Sequence, residues 1–312
     1  MSQVHPAPSV LDAIGHTPLV ELRHVVPAGG ARLLVKLEAA NPTGSMKDRM
    51  ARSAIEAAAR DGRLAPGGTV VEYTAGTTGI SLAFVCAALG YRLHAVFSDA
   101  FSDEKRRTMR AYGATVEDVK SEDGRINEAL IKAMIARAKE LSGAPGHWWC
   151  DQLNNHDAVD GYLPLGDEIA QQSGGRVDAF VHAVSTAHSV HGTARALRRH
   201  VPALHVTAVE PEESAVLSGR PSGSHKIEGI GIGFVPPLWH PEEVDDIQTV
   251  TTADAKAMAR RLAQEEAIFA GTSSGANVVA ALRVCARLGP GATVVTIMCD
   301  SGLRYLSTDV FR

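Results

Sequence analysis

Apolar and polar positions change period along almost the whole chain. Short β-branched and apolar runs at Thr69–Tyr73, Arg92–Phe97, Thr115–Val119, Val177–Val184, His205–Val209 and Thr293–Cys299 read as strands. Between them, apolar residues three and four apart predict helices over Met50–Arg60, Ile80–Leu89, Asp103–Tyr112, Arg125–Leu141, Asp254–Glu266 and Gly275–Arg287. Strands alternating with helices of this length predict βαβ units. The expected fold class is therefore α/β, with mostly parallel sheets covered by helices on both faces. No internal repeat or low-complexity linker interrupts the pattern. Gly143-Ala144-Pro145-Gly146 is a loop, expected where the chain crosses between domains.

Such folds bind ligands in the loops at the carboxyl ends of parallel strands. Three of these loops are rich in small hydroxyl residues: TAGTTG (74–79), STAHS (185–189) and GTSSG (271–275). Each follows an apolar run and opens a helix, whose free N–H groups and positive dipole end suit a phosphate or carboxylate. Serine and threonine are also common N-caps, so one loop alone says little. Three in one chain favour an anionic ligand. The second loop is unusual because it contains no glycine, although close backbone approach to a phosphate ordinarily calls for one.

Composition narrows the field. The 312 residues suffice for two ordinary domains or one large one, 45% are hydrophobic and 21% charged, as in a globular protein. A net charge of −4 without a basic stripe gives no reason to expect a nucleic-acid partner. Cys86, Cys150, Cys285 and Cys299 form no CxxC pair, and thirteen histidines are scattered, so no metal site is expected. Without an apolar leader or a membrane-length run, the expected location is the cytoplasm.

One lysine stands in an odd place. In KLEAANPTGSMKDR (36–49), Asn-Pro-Thr-Gly is turn chemistry and Lys47 falls in the first turn of the helix that follows. The positive helix end disfavours a cation there. Either Lys47 is a solvated surface residue paired with Asp48, or it is an amine of lowered pKa available for Schiff-base chemistry.

IGHTPLV (14–20), KLEAANPTGSMKDR, GTTGISLA (76–83), DQLNN (151–155), HKIEGIGIGF (225–234), GTSSGAN (271–277) and DSGLRYLST (300–308) occur together and in order. Over about Ile14 to Thr308 the chain resembles the cysteine synthase (O-acetylserine sulfhydrylase) branch of the fold-type-II enzymes dependent on pyridoxal 5′-phosphate (PLP). The resemblance implies a smaller domain at 41–151 and a larger one built from 1–40 plus 152–312, with the cofactor between them, and a homodimer. It implies that Lys47 forms the Schiff base and acts as general base, and that Ser273 bonds the pyridine nitrogen. A neutral hydroxyl there suits β-elimination better than transamination. Thr74, Ala75, Gly76, Thr78 and Gln152 would bind the substrate carboxylate, while Gly229 and Ile232 would line the pocket. The implied reaction is β-elimination or β-replacement on a serine- or cysteine-like amino acid through an aminoacrylate, with sulfide or another small nucleophile adding.

Three departures from the family's pattern bear on that chemistry. The carboxylate loop, usually T-S-G-N-T-G, carries Ala75 and Thr77, so a hydroxyl donor is lost and a threonine replaces the asparagine that bonds the cofactor's phenolic oxygen. The phosphate loop, usually G-T-G-G-T, is Ser185-Thr186-Ala187-His188-Ser189. There His188 is expected as a cation facing the phosphate, or else as a ring filling its space. His182 and His191 are read as structural. Ile232 replaces a usual alanine, narrowing the pocket or merely repacking it. Alternatives therefore stay open: a cysteine desulfhydrase, a specialised β-substituted alanine synthase, a scaffold protein of the same fold, or an enzyme using the fold without PLP.

Overall fold

A computed structural model describes residues 8–124 and 128–312. In chain order, β1 (Leu19–Glu21) and β2 (Arg32–Leu37) precede α1 (Lys47–Arg60), β3 (Thr69–Tyr73), α2 (Thr77–Leu89), β4 (Arg92–Ser98), α3 (Asp103–Ala111), β5 (Thr115–Val119), α4 (Glu128–Ser142) and β6 (His147–Trp149). There follow α5 (His156–Asp160), α6 (Leu163–Gln172), β7 (Ala179–Ala183), α7 (His188–His200), β8 (His205–Pro211), β9 (Asp246–Val250), α8 (Thr252–Glu265), α9 (Thr272–Leu288) and β10 (Thr293–Met298). Arg125, where the α4 helix was expected to begin, lies outside the described residues.

Two sheets result. One has the order β5-β4-β3-β6, with every pairing parallel. The other has the order β1-β2-β10-β7-β8-β9, parallel except for the antiparallel edge strand β1. Strands β3, β7 and β10 are buried at every position, which is why they read as unbroken apolar runs rather than alternating ones. The Gly143–Gly146 loop joins α4 to β6 inside the four-stranded sheet, so the expected crossing there is corrected. The chain crosses after β6, because β6 still pairs with β3.

The carboxyl ends of the central strands place the three hydroxyl-rich loops. β3 runs into Thr74, β7 into the 185–189 turn, and β10 into Cys299 and Asp300. Among the described residues no helix is long and apolar enough to cross a membrane.

Candidate active site

Lys47 opens α1, and its neighbours hold that end in place. Gly44 turns the chain with φ 79°, Ser45 bridges to Asp300, and Met46 N–H donates to the Cys299 carbonyl at 2.9 Å. The start of α1 is thereby tied to the end of β10. The Asp48 carboxylate accepts from Thr43 N–H at 2.8 Å and from Thr43 Oγ1 at 2.6 Å. It is thus engaged with the turn and not with Lys47, and the surface-pair reading gives way. Surrounding protein lowers the Lys47 pKa, against the opposing pull of Cys299 and Asp300. Such an amine is more readily neutral than an exposed lysine.

The 74–79 loop is built around one side chain. Thr74 Oγ1 accepts from Gly76 N–H at 2.9 Å and from Gly79 N–H at 3.0 Å. The N–H groups of Ala75, Thr77 and Thr78 have no acceptor among the described residues, so the start of α2 offers three unspent donors. Gly76 is required by close approach. A Cβ there would lie 2.3 Å from Lys105 Cδ, and one at Gly79 would lie 2.5 Å from Met109 Sδ. Thr78 Oγ1 donates to Gln152 Oε1 at 3.1 Å, and Gln152 Nε2 donates to Tyr73 O at 2.9 Å, leaving its second amide hydrogen free.

The glycine-free turn keeps a glycine-like backbone. Ala187 lies in the left-handed region at φ 69°, a conformation that costs a residue with a Cβ about 1–2 kcal/mol. It serves as N-cap of α7. Thr186 Oγ1 and His188 Nδ1 are 3.1 Å apart, and the buried His188 Nε2 has no partner among the described residues. Burial and the neighbouring Lys47 push the His188 pKa down to about 3, which opposes the expected cation and leaves it dependent on the charge of a facing phosphate. The positive end of α7 works in the same direction.

Ser273 sits buried in the first turn of α9, and a Cβ on Gly229 would lie 4.0 Å from its Oγ. The pocket loop therefore faces Ser273. Gly231 N–H donates to Val184 O at 3.1 Å, which joins that loop to the end of β7. Ile232 packs against the cluster of Val71, Tyr73, Val96 and Leu153 around the four-stranded sheet, so the repacking reading has a physical basis.

Several residues beside the site escaped the sequence. Lys105 looks like a surface residue of a charged helix, yet it is buried over Gly76, bonds Glu228 of the pocket loop, and lies 5.5 Å from the Tyr305 ring. His182, expected to be structural, contacts Ser189. Glu72 accepts from Gln152 N–H at 2.8 Å and from Tyr73 N–H at 2.9 Å. Burial raises its pKa to about 8. A folded value above the ordinary 4.5 means that Glu72 contributes stability fully present below pH 4.5 and lost as pH rises through 8. Glu72→Gln is expected to remove this slope, at most about 1.4 kcal/mol per pH unit. Urea unfolding at pH 6 and pH 8 checks it: equal losses in wild type and variant would rule the shift out.

The family model for pyridoxal-phosphate dependent enzymes matches residues 10–300. A cysteine synthase of Staphylococcus aureus is 41% identical over 308 residues, covering 98% of this chain and 97% of that protein. Cysteine synthase B of Salmonella typhimurium is 39% identical, covering 96% and 94%. The crystal structure of O-acetyl serine sulfhydrylase isoform 3 from Entamoeba histolytica superposes with a TM-score of 0.93 at 38% identity, covering 100% of this chain and 93% of that one. The readings as a scaffold, or as an enzyme without the cofactor, give way to this agreement across the whole chain. With Lys47 opening a helix whose start is tied to the end of β10, and with this agreement across the whole chain, the chain belongs to the family of pyridoxal-phosphate dependent enzymes.

Proposed function

We propose that the protein is a cysteine synthase-type enzyme that replaces the β-substituent of an activated serine with sulfide. The carrying observation is Lys47 at the head of α1, whose preceding turn is bridged to the end of β10 through Ser45 and Asp300 and reaches Ser81 of α2 through Thr43. The residues fit the cofactor. His188 Nε2 is a buried nitrogen without a partner, and Ala187 keeps the left-handed backbone of a phosphate turn. Once bound, PLP supplies an electron sink for negative charge at the substrate Cα.

The chain's own residues would do the rest. Lys47 would be the residue that holds the cofactor, and its lowered-pKa amine would take the substrate Cα proton. The N–H groups of Ala75, Thr77 and Thr78, with the free amide hydrogen of Gln152, receive the α-carboxylate. Thr77 would stand nearest the cofactor's phenolic oxygen. Ser273 gives the ring nitrogen a neutral partner that does not hold it protonated. Ser185, Thr186, Ala187, His188 and Ser189 surround the phosphate. Gly229 and Ile232 would border the β-position. The two sheets with their helices act as two domains, 41–151 and the remainder. Exposed Leu303 and Leu306 support a homodimer contact near the C-terminus, and the cytoplasm suits the four free cysteines.

Two assays test this reading. Cysteine formation from O-acetylserine and sulfide is expected to exceed sulfide release from cysteine. Faster release, or a preference for a bulky thiol, would point to the desulfhydrase or the specialised synthase. Gln152→Ala is expected to raise KM for the amino acid about tenfold, the worth of one hydrogen bond to a charged group, with a smaller change in kcat. An unchanged KM would remove Gln152 from the carboxylate site.

A further inference from the structure

His182 lies in β7 directly before the 185–189 turn and is 1% exposed. Its ring is held at both nitrogens. Nε2 is 2.8 Å from Ser189 Oγ, and Nδ1 is 3.2 Å from Asn277 Nδ2. The backbone fixes which way the Asn277 amide points. Its Oδ1 accepts from Ala183 N–H at 2.8 Å, and its Nδ2 donates to Ile297 O at 2.8 Å. An amide NH2 cannot accept a hydrogen bond, so His182 Nδ1 is the acceptor in its contact with Asn277. Burial and Lys47 push the His182 pKa down to about 3, which keeps the ring neutral with its one proton on Nε2. That proton is donated to Ser189 Oγ. Ser189, whose oxygen is thereby occupied, keeps its own proton without an acceptor among the described residues.

We propose that His182 is a positioning residue for the cofactor phosphate, converting the Ser189 hydroxyl into a dedicated donor, with Asn277 setting the direction of the chain. The inference rests on the phosphate site proposed at 185–189. Its physical logic is compensation. A serine in the first turn of a helix can otherwise spend its proton on a nearby backbone carbonyl. Here the imidazole takes the oxygen's accepting role and restricts the rotamer, so the proton faces the helix N-terminus. Ser189 stands in that turn beside His188, whose Nε2 is also unpartnered. A turn that carries side chains at Ala187 and His188 instead of hydrogens thus gains a fixed hydroxyl donor.

The test compares PLP with pyridoxal, which lacks the phosphate, by equilibrium titration of the full chain stripped of cofactor. Ser189→Ala is expected to weaken PLP about tenfold or more and to leave pyridoxal unchanged, since a hydrogen bond to a charged group is lost. His182→Phe should do the same, and the double variant should be no worse than Ser189→Ala alone. Asn277→Asp offers only acceptors, which moves the His182 proton to Nδ1 and draws the Ser189 proton onto Nε2. It too should weaken PLP selectively. Long-range 1H–15N spectra of the holoenzyme report the tautomer: Nε2 protonated in the wild type, Nδ1 protonated in Asn277→Asp. If Ser189→Ala leaves PLP binding intact, the phosphate site itself is misplaced. If Ser189→Ala acts as expected but His182→Phe weakens both ligands equally, adds to Ser189→Ala, or the wild-type ring is protonated on Nδ1, the relay is overturned while the site stands. Should His182→Phe fail to fold, Asn277→Asp and the wild-type tautomer still decide.

Discussion

Replacing Lys47 with alanine is expected to lower turnover by roughly a thousandfold or more, the usual worth of a group that transfers a proton in the rate-determining step. Lys47 carries two tasks. It holds the cofactor covalently and moves the Cα proton, and alanine can do neither. The loss should appear in kcat at saturating O-acetylserine and sulfide. The fold should survive, because Lys47 makes no ion pair among the described residues and its backbone N–H, bonded to Ser45 Oγ at 3.2 Å, is kept. The cofactor's absorbance near the visible range should lose the component due to covalent attachment. A Lys47→Ala variant retaining a tenth of wild-type turnover would place the proton transfer on another group.

The second large effect concerns what holds Lys47 in place. Two residues along α1, buried Arg49 donates from Nε to Glu38 Oε2 at 2.7 Å and from Nη1 to Glu168 Oε1 at 2.8 Å. Lys36 of β2 lies 2.7 Å from Glu168 Oε2, and Thr17 and Asn41 donate to Glu38 at 2.6 Å and 2.9 Å. Two cations and two carboxylates are thus balanced in the interior, linking α1, α6 and the six-stranded sheet. Glu38→Ala leaves the Arg49 guanidinium short of its main counter-charge, and removing one partner of a buried pair costs about 3–5 kcal/mol. Urea unfolding at pH 7 should show that loss. A change below 1 kcal/mol would mean that the network relaxes and that other contacts fix the start of α1.

Much of this architecture is legible in the sequence because it rests on local period. TVVEY and TVVTIM are continuous apolar runs because both faces of β3 and β10 are covered. β2 (Arg32–Leu37) is harder to see. Lys36 interrupts an otherwise apolar stretch, and its contacts with Glu168 and Gln172, far along the chain, and with Thr17 O explain how that lysine is buried. The loops at 74–79, 185–189 and 271–275 are readable from their hydroxyl residues, and Lys47 from its position at a helix start. What the sequence conceals is partnership at long range. Lys105 pairs with a residue 123 positions away, and His182 with one 95 positions away. Nothing in DEKRRTMRA marks its lysine as buried. The direction of the His182 proton follows only once Ala183, Asn277 and Ile297 stand side by side. The charge of His188 is hidden for the same reason: it depends on Lys47 and on burial, which the sequence does not display.

The most direct test of the central claim is to load the full-length protein with PLP, reduce it with borohydride, and map the modified peptide by mass. Reduction traps the cofactor on the amine that holds it. The structure predicts one phosphopyridoxyl group, on Lys47, in the peptide that includes SMK (45–47). A group on another lysine, or none with excess PLP, would contradict it.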